Sequence, residues 1–138
     1  MPKLTSEQAF ALAKLFREVA NKLSDYQITN FSQLTPAQRT KLEGLEFTVR
    51  NYASDFIAIS IKIDVADLEP TLASIKGATE KMKKAIQNIK KVNKILKVVT
   101  AVVTIGAAVA TGNPAAIATA VAGALAEDKK KDEDEKEE

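Results

Sequence analysis

The chain contains no histidine and no cysteine. These residues supply the commonest general base, the thiol nucleophile and most zinc ligands, so catalysis would have to rest on carboxylate, lysine or hydroxyl groups. Disulfide bonds are excluded as well. The five glycines are too scattered to form the motifs that bind phosphate or position a nucleophilic serine. The sequence therefore predicts a protein that is not an enzyme and has no metal ion, cofactor or small-molecule substrate.

Aromatic and turn-forming residues are also scarce. Aromatic residues make up 5% of the chain and all lie within the first 56 positions, so the second half is aliphatic and rich in alanine. Five glycines and four prolines in 138 residues are few for a protein of many short strands. A chain of this length has the usual size of one domain. We therefore predict an all-α, single-domain bundle of about four helices.

Two helix starts have the same chemistry. Thr5 and Thr35 are each followed by a glutamine three residues later, which is the pattern of a capping box. Apolar residues then recur in steps of three and four, as they do along one face of a helix. This spacing predicts helices over residues 5–23, 35–65, 67–111 and 114–126, followed by a charged, disordered tail over residues 127–138.

Residues 57–65 and the third predicted helix depart from a simple helical pattern. Residues 57–65 also alternate apolar and polar side chains, which is typical of a strand, so helix and strand both stay open there. The third helix would be about 65 Å long, which is longer than a bundle of this size needs. We expect a bend near Gly77 or Gly106.

The third predicted helix has a basic face. Residues 76–97 contain eight lysines and one glutamate, opposite an apolar face. A basic amphipathic helix can lie on anionic lipid headgroups, with about 1 kcal/mol of attraction per lysine. Nucleic acid is disfavoured, since this segment has no arginine to read bases and no aromatic residue to stack on them. The lysines predicted to contact a membrane surface are Lys76, Lys83, Lys84, Lys90, Lys91, Lys94 and Lys97.

An uncharged block follows the lysines. Residues 98–126 carry no charged side chain, and 11 of these 29 residues are alanine, which makes the block a marginal membrane segment. Gly112, Asn113 and Pro114 divide it, because glycine can end one helix and proline can begin the next. The two halves form a predicted helical hairpin, each about 18–21 Å long and therefore shorter than the roughly 30 Å hydrocarbon core.

The flanks and the small residues of this hairpin also point to a function. Lysines precede and follow it, which would keep both of its ends on one side of a membrane. Small residues would let helices approach closely, in a membrane or in a soluble hairpin alike. The positions predicted for this packing are Gly106, Ala110, Ala116, Ala120 and Ala124.

A lysine-rich amphipathic helix that leads into a charge-free hairpin resembles the membrane-inserting hairpin of α-helical pore-forming proteins, such as the pore-forming colicins and the haemolysin-type helical toxins. The resemblance covers about residues 81–126 and is one of architecture rather than of a motif. It implies a soluble bundle that hides the hairpin and exposes it on meeting a membrane. This chain is shorter and richer in alanine, and it has no receptor or translocation domain.

Two functions of different classes stay open. The first is a membrane-active helical protein that binds anionic membranes, inserts its hairpin and forms a pore as an oligomer. The alternative is a soluble interaction or self-assembly module with no membrane role, whose third helix pairs with a partner helix or a second copy. Glu7, Lys14 and Arg17 interrupt the region where a cleavable secretory signal would need an unbroken apolar run. We therefore expect a cytoplasmic protein that associates with membranes.

Overall fold

The computed structural model describes residues 4–58, 63, 68–89 and 91–136, with side chains as far as residue 129. The predicted all-α class is confirmed over these ranges, but they contain five α-helices instead of about four. A short 3₁₀ helix, Phe31–Gln33, connects the first two. The helices are α1 (Ser6–Thr29), α2 (Pro36–Ala58), α3 (Leu68–Asn88), α4 (Val92–Thr111) and α5 (Pro114–Lys136).

Helices α1 and α2 begin with the predicted capping boxes. The Gln8 backbone N–H donates to Thr5 Oγ1 at 3.1 Å, and the Thr5 N–H donates to Gln8 Oε1 at 2.9 Å. Thr35 and Gln38 repeat this arrangement at the start of α2. Each box satisfies two N–H groups that have no partner within the helix.

Helix α1 continues past its predicted end at residue 23. Leu23 is fully buried and Tyr26, one turn later, is also buried. The apolar face of α1 therefore extends into the segment that the sequence indicated as a connector. Asn30 then ends the helix, with its backbone N–H and its side-chain Nδ2 both donating to the carbonyl oxygen of Tyr26 at 3.0 Å.

The prediction of one long helix over residues 67–111 is wrong. Helix α3 ends at Asn88, whose Nδ2 donates to the carbonyl oxygen of Lys84 at 3.0 Å, and Lys91 takes an extended conformation before α4 begins at Val92. The break is at neither Gly77 nor Gly106, which both lie inside helices. Its cause is tertiary, because folding back lets α3 and α4 bury their apolar faces within the bundle, whereas a straight helix would leave much of that surface in water.

The ends of α2 and α5 also differ from the predicted bounds. Helix α2 ends at Ala58, and Ile63 is buried outside regular structure. Residues 59–62 and 64–65 lie outside the described ranges, so the choice between helix and strand over residues 57–65 is not resolved there. Helix α5 begins at Pro114 and runs to Lys136, into the segment for which we predict a tail.

The helices pack as a bundle in which α3 and α4 each contact three other helices. Helix α1 contacts α2 and α3, while α4 contacts α2, α3 and α5, and α5 also contacts α3. The core between α1 and α2 contains three aromatic rings, with Phe16 edge-on to Phe56 at 5.0 Å and to Tyr52 at 6.5 Å between centroids. Gly106 of α4 lies against these rings, since a Cβ atom there would be 2.7 Å from Tyr52 Cδ2. Glycine at this position allows α4 to approach the aromatic cluster.

Candidate functional site

Helices α4 and α5 form a hairpin with a well-defined turn. Gly112 ends α4 in the left-handed conformation, with φ at 70°, which glycine adopts without strain. Asn113 Oδ1 accepts hydrogen bonds from the N–H groups of Ala115 and Ala116 at 2.9 and 3.1 Å, and Pro114 is the first residue of α5. The turn thus lies at Gly112, Asn113 and Pro114, and its backbone groups are satisfied locally.

The two faces of this hairpin have different compositions. Its inner face combines β-branched side chains such as Val102, Ile105 and Ile117, which are at most 2% exposed, with buried glycine and alanine. Its outer face consists of small side chains. The exposed residues in the uncharged block are Thr100, Thr104, Ala107, Ala110, Thr111, Asn113, Pro114, Ala115, Ala116, Ala118, Thr119, Ala122, Gly123 and Ala126.

Threonine hydroxyls on the outer face donate within their own helix. Thr100 Oγ1 donates to the carbonyl oxygen of Leu96 at 2.7 Å, and Thr104 Oγ1 donates to that of Thr100 at 3.0 Å. Thr111 Oγ1 does the same to Ala108 at 2.6 Å. These three hydroxyl groups already have a hydrogen-bond acceptor within their own helix. Moving this face out of water therefore costs less than it would if the threonines donated to water.

The five small residues predicted for close packing fall on both faces. Gly106, Ala120 and Ala124 are buried, and Ala110 and Ala116 are exposed. Gly106 meets the rings of α1 and α2 rather than α5. The small-residue pattern is therefore divided between the bundle core and the outer surface.

Helix α4 is longer than the half-hairpin that the sequence predicted, because it begins at Val92. Its 20 residues correspond to about 30 Å, the thickness of a hydrocarbon core. Within the described part of the chain, this one helix has the length and composition to cross a membrane, with a mean hydropathy of 1.7 over its apolar window, half of which is buried. Buried core helices of water-soluble proteins have the same properties.

The predicted lysines on α3 have different environments. Lys76 and Lys84 are exposed, whereas Lys83 Nζ donates to Glu18 Oε2 of α1 at 2.9 Å. This hydrogen bond, together with the nearby positive charges, holds the pKa of Glu18 below its ordinary value of 4.5. Lys83 therefore joins two helices of the bundle.

The remaining predicted lysines lie where α4 begins. Lys97 is exposed, Lys91 is half-buried, and Lys94 is buried with 9% of its surface exposed. The pKa of Lys94 is lowered, mainly by burial and also by a hydrogen bond with Lys97 and repulsion from its charge. The negative charge of Glu127 on α5 partly offsets this by raising the pKa. Lys90 lies outside the described residues. Because the chain reverses between α3 and α4, these lysines do not continue a single stripe along one helix.

Several exposed apolar residues were not identified from the sequence. Ile28 is 74% exposed near the end of α1, Phe31 is 57% exposed in the connection, and Phe47 is 65% exposed on α2. The guanidinium of Arg39 lies 4.4 Å from the centroid of the Phe31 ring. None of these three residues lies on a predicted apolar helix face, since Ile28 and Phe31 follow the first predicted helix and Phe47 is out of step with its neighbours.

The described residues contain no cluster of three or more acidic side chains that could hold a metal ion. Searches of protein families, characterised proteins and solved structures find no match to this chain.

Proposed function

We propose that this protein is a non-enzymatic, membrane-active helical protein that binds anionic membranes and then inserts its α4–α5 hairpin. The single observation that carries the proposal is the absence of charged side chains from both faces of the hairpin between Lys97 and Glu127. A hairpin with this composition can change its surroundings from protein to lipid without burying an ion.

The turn geometry supports insertion as a unit. Gly112 and Asn113 satisfy the backbone groups at the tip, where an unpaired N–H or carbonyl group would cost several kcal/mol in hydrocarbon. Lys97 of α4 and Lys129 of α5 lie at the opposite end of the hairpin. They would remain with the headgroups while the tip enters the apolar layer.

Release of α5 from the bundle opposes insertion. Among the described side chains, α5 buries two β-branched residues, Ile117 and Val121, and two alanines, Ala120 and Ala124. Burying Ile and Val side chains contributes about 1.5–3 kcal/mol each, and alanine contributes much less. Lipid would restore this apolar burial, so the net cost of transfer is smaller than the cost of exposing α5 to water.

Attachment to the surface would come from the exposed lysines. Lys76 and Lys84 on α3 and Lys97 on α4 extend into water, and each can contribute about 1 kcal/mol near an anionic membrane. Lys83 is excluded from this set by its contact with Glu18. Several copies of the hairpin could then associate through small residues such as Ala110 and Ala116 and form a pore.

Flotation and dye release from lipid vesicles test this function. The protein is mixed with phosphatidylcholine vesicles, with or without phosphatidylglycerol, at about 0.01 M and 1 M salt, where the Debye length is about 30 and 3 Å. We expect binding and leakage with the anionic vesicles at low salt, and much less of both at high salt. Absence of binding and leakage at every lipid composition and both salt concentrations would refute the proposal.

Two matched pairs of variants separate attachment from insertion. Ala110→Lys places a charge near the hairpin tip, and Ala11→Lys places the same charge on exposed α1. We expect Ala110→Lys to bind but to release little dye, because the inserted tip would lie within the hydrocarbon core, where a lysine costs up to about 2.5–3.5 kcal/mol. Replacing Lys76 and Lys84 by Gln should weaken binding, whereas replacing Lys14 and Arg17 by Gln should weaken it less.

A second candidate function is a soluble module that binds another protein. The exposed side chains of Ile28, Phe31 and Phe47 favour it, since large apolar groups on a surface are typical of interfaces. Light scattering over a concentration series would detect self-association. If α2 forms the interface between two copies, Phe47→Ser should abolish this self-association. In that case the vesicle experiments would show neither binding nor leakage.

A further inference from the structure

A groove of about 400 Å³ runs between α4 and α5 on the outer face of the hairpin. Its volume lies within the range of small-molecule sites, which are mostly apolar with a few polar groups. Its walls are formed by Leu96, Thr100, Ala101 and Thr104 of α4 and by Thr119 and Gly123 of α5.

The groove continues toward the hairpin turn. A second depression shares Thr104, Thr119 and Ala120 with the first and reaches Asn113 and Ala115. From the level of Glu127 to that of Ala115, the two depressions follow α5 for about 18 Å, at 1.5 Å per residue. The surface is thus long, narrow and uncharged along most of its length.

Charge is confined to one end of this groove. Among the described residues that line it, the charged ones are Lys41 of α2, Lys97 of α4 and Glu127 of α5. Both lysines are exposed, while Glu127 is half-buried and acts on the neighbouring Lys94. The other end, at Asn113, is uncharged. The groove is therefore an open, mostly apolar surface with a net positive charge at one end.

Two features of the lining bear on the type of ligand. The hydroxyl donors of Thr100 and Thr104 are engaged with their own helix, so they present no free hydrogen to a peptide backbone. A Cβ atom on Gly123 would meet no neighbouring atom within 4 Å, so packing within the fold does not require glycine there. Glycine inside a helix costs about 1 kcal/mol relative to alanine, and at this position it leaves the groove open.

We propose that this groove binds a free single-chain anionic amphiphile of the fatty-acid class. Its hydrocarbon chain lies between α4 and α5, and its carboxylate binds at the charged end beside Lys41 and Lys97. This arrangement places an alkyl chain against apolar atoms and a carboxylate at an end of the groove where two lysines outnumber the single Glu127. The ligand is taken from solution, so this binding site does not depend on membrane insertion by the hairpin.

Fluorescence titration with cis-parinaric acid, below its aggregation concentration and without vesicles, tests the site. We expect saturable binding that dodecanoate displaces and that dodecylammonium does not. Replacing both Lys41 and Lys97 by Gln should weaken the binding of dodecanoate about tenfold. Absence of saturable binding, or equal displacement by the anionic and the cationic amphiphile, would overturn the proposal.

A matched pair of glycine variants locates the ligand. Gly123→Leu fills the groove, and Gly77→Leu places the same side chain at an exposed position on α3 where a Cβ atom also meets nothing within 4 Å. Circular dichroism would verify that both variants fold. We expect at least tenfold weaker binding for Gly123→Leu and unchanged binding for Gly77→Leu. Equal affinities of the two variants would place the ligand elsewhere and refute this site.

Discussion

The molecule contains two helical hairpins, α1–α2 and α4–α5, which are built from different side chains. The first packs Phe16 and Phe56 against each other at 5.0 Å, and both rings are almost completely buried. The second has no aromatic residue, and among the described side chains its outer helix α5 buries two β-branched residues, two alanines and part of Leu125. Aromatic side chains bury much more area per residue than alanine does.

This difference indicates an uneven distribution of stability. Helix α1 is held by eight buried residues, by the aromatic cluster and by the ion pair of Glu18 with Lys83. Among the described side chains of α5, the largest buried ones are Ile117 and Val121. Segments with little apolar contact open at lower free energy than the core does. We therefore expect α1 and α2 to form the stable part of the protein and α5 to be the helix that detaches.

The largest expected effect comes from the aromatic core. Phe16→Ala should lower the free energy of unfolding by about 3–5 kcal/mol, because it removes a fully buried ring that contacts Tyr52 and Phe56. Ile117→Ala in α5 should cost about 2 kcal/mol, at the low end for such truncations. Urea denaturation of both variants measures the difference. An Ile117→Ala variant as unstable as Phe16→Ala would contradict the uneven distribution.

Two glycine substitutions sharpen the comparison, because replacing glycine by alanine should destabilise the protein at one position and stabilise it at the other. Gly106→Ala should destabilise the protein by about 1–3 kcal/mol, since its Cβ atom would lie 2.7 Å from the Tyr52 ring. Gly123→Ala should stabilise it by about 0.5–1 kcal/mol through helix propensity alone. Thermal unfolding of the two variants provides the measurement. Destabilisation by Gly123→Ala would reveal a packing role for Gly123 that its open surroundings do not show.

The cap of α5 provides a smaller test. Asn113→Ala removes the acceptor for the N–H groups of Ala115 and Ala116 and should cost about 1 kcal/mol. The loss should appear as faster amide exchange in α5, with little change in α1. Thr5→Ala, which removes the corresponding acceptor at α1, serves as the control. Equal acceleration in both helices by Asn113→Ala would mean that α5 does not open separately.

The ion pair between α1 and α3 should give the smallest effect. The lowered pKa of Glu18 means that its stabilising contribution is present above about pH 4.5 and is lost as the pH falls through the lowered value. Because both side chains are partly exposed, Glu18→Gln should cost less than about 1 kcal/mol at neutral pH. The difference in melting temperature from the unmodified protein should vanish well below pH 4.5. A difference that persists in acid would contradict the assigned role of the carboxylate.

Local chemistry in the sequence was sufficient to predict some features of the fold. The capping boxes at Thr5 and Thr35 depend on side chains three residues apart, and the all-α class follows from apolar spacing and few turn residues. The break between Asn88 and Val92 could not be predicted in this way. It contains neither glycine nor proline, and it forms because α4 folds back into the bundle.

The same limit applies to the candidate site. The sequence identifies an uncharged block, but it does not determine which of its residues face outward or that α2 places Lys41 at the end of the groove. The sequence also predicted that Lys83 belongs to a free basic face. Nothing in the position of Lys83 along the chain indicates that it pairs with Glu18 of another helix. These features depend on contacts between residues that are distant in the sequence.

Residue-resolved amide hydrogen exchange in vesicle-free buffer tests the central claim most directly, which is that α5 can detach from a stable remainder of the bundle. We predict that amides of α5 between Ile117 and Ala124 exchange through an opening of much lower free energy than the opening that exposes Leu12 to Leu23 of α1. Destabilisation by mild urea should leave that order unchanged. Equal protection of the two helices, with exchange of both only on global unfolding, would contradict this account.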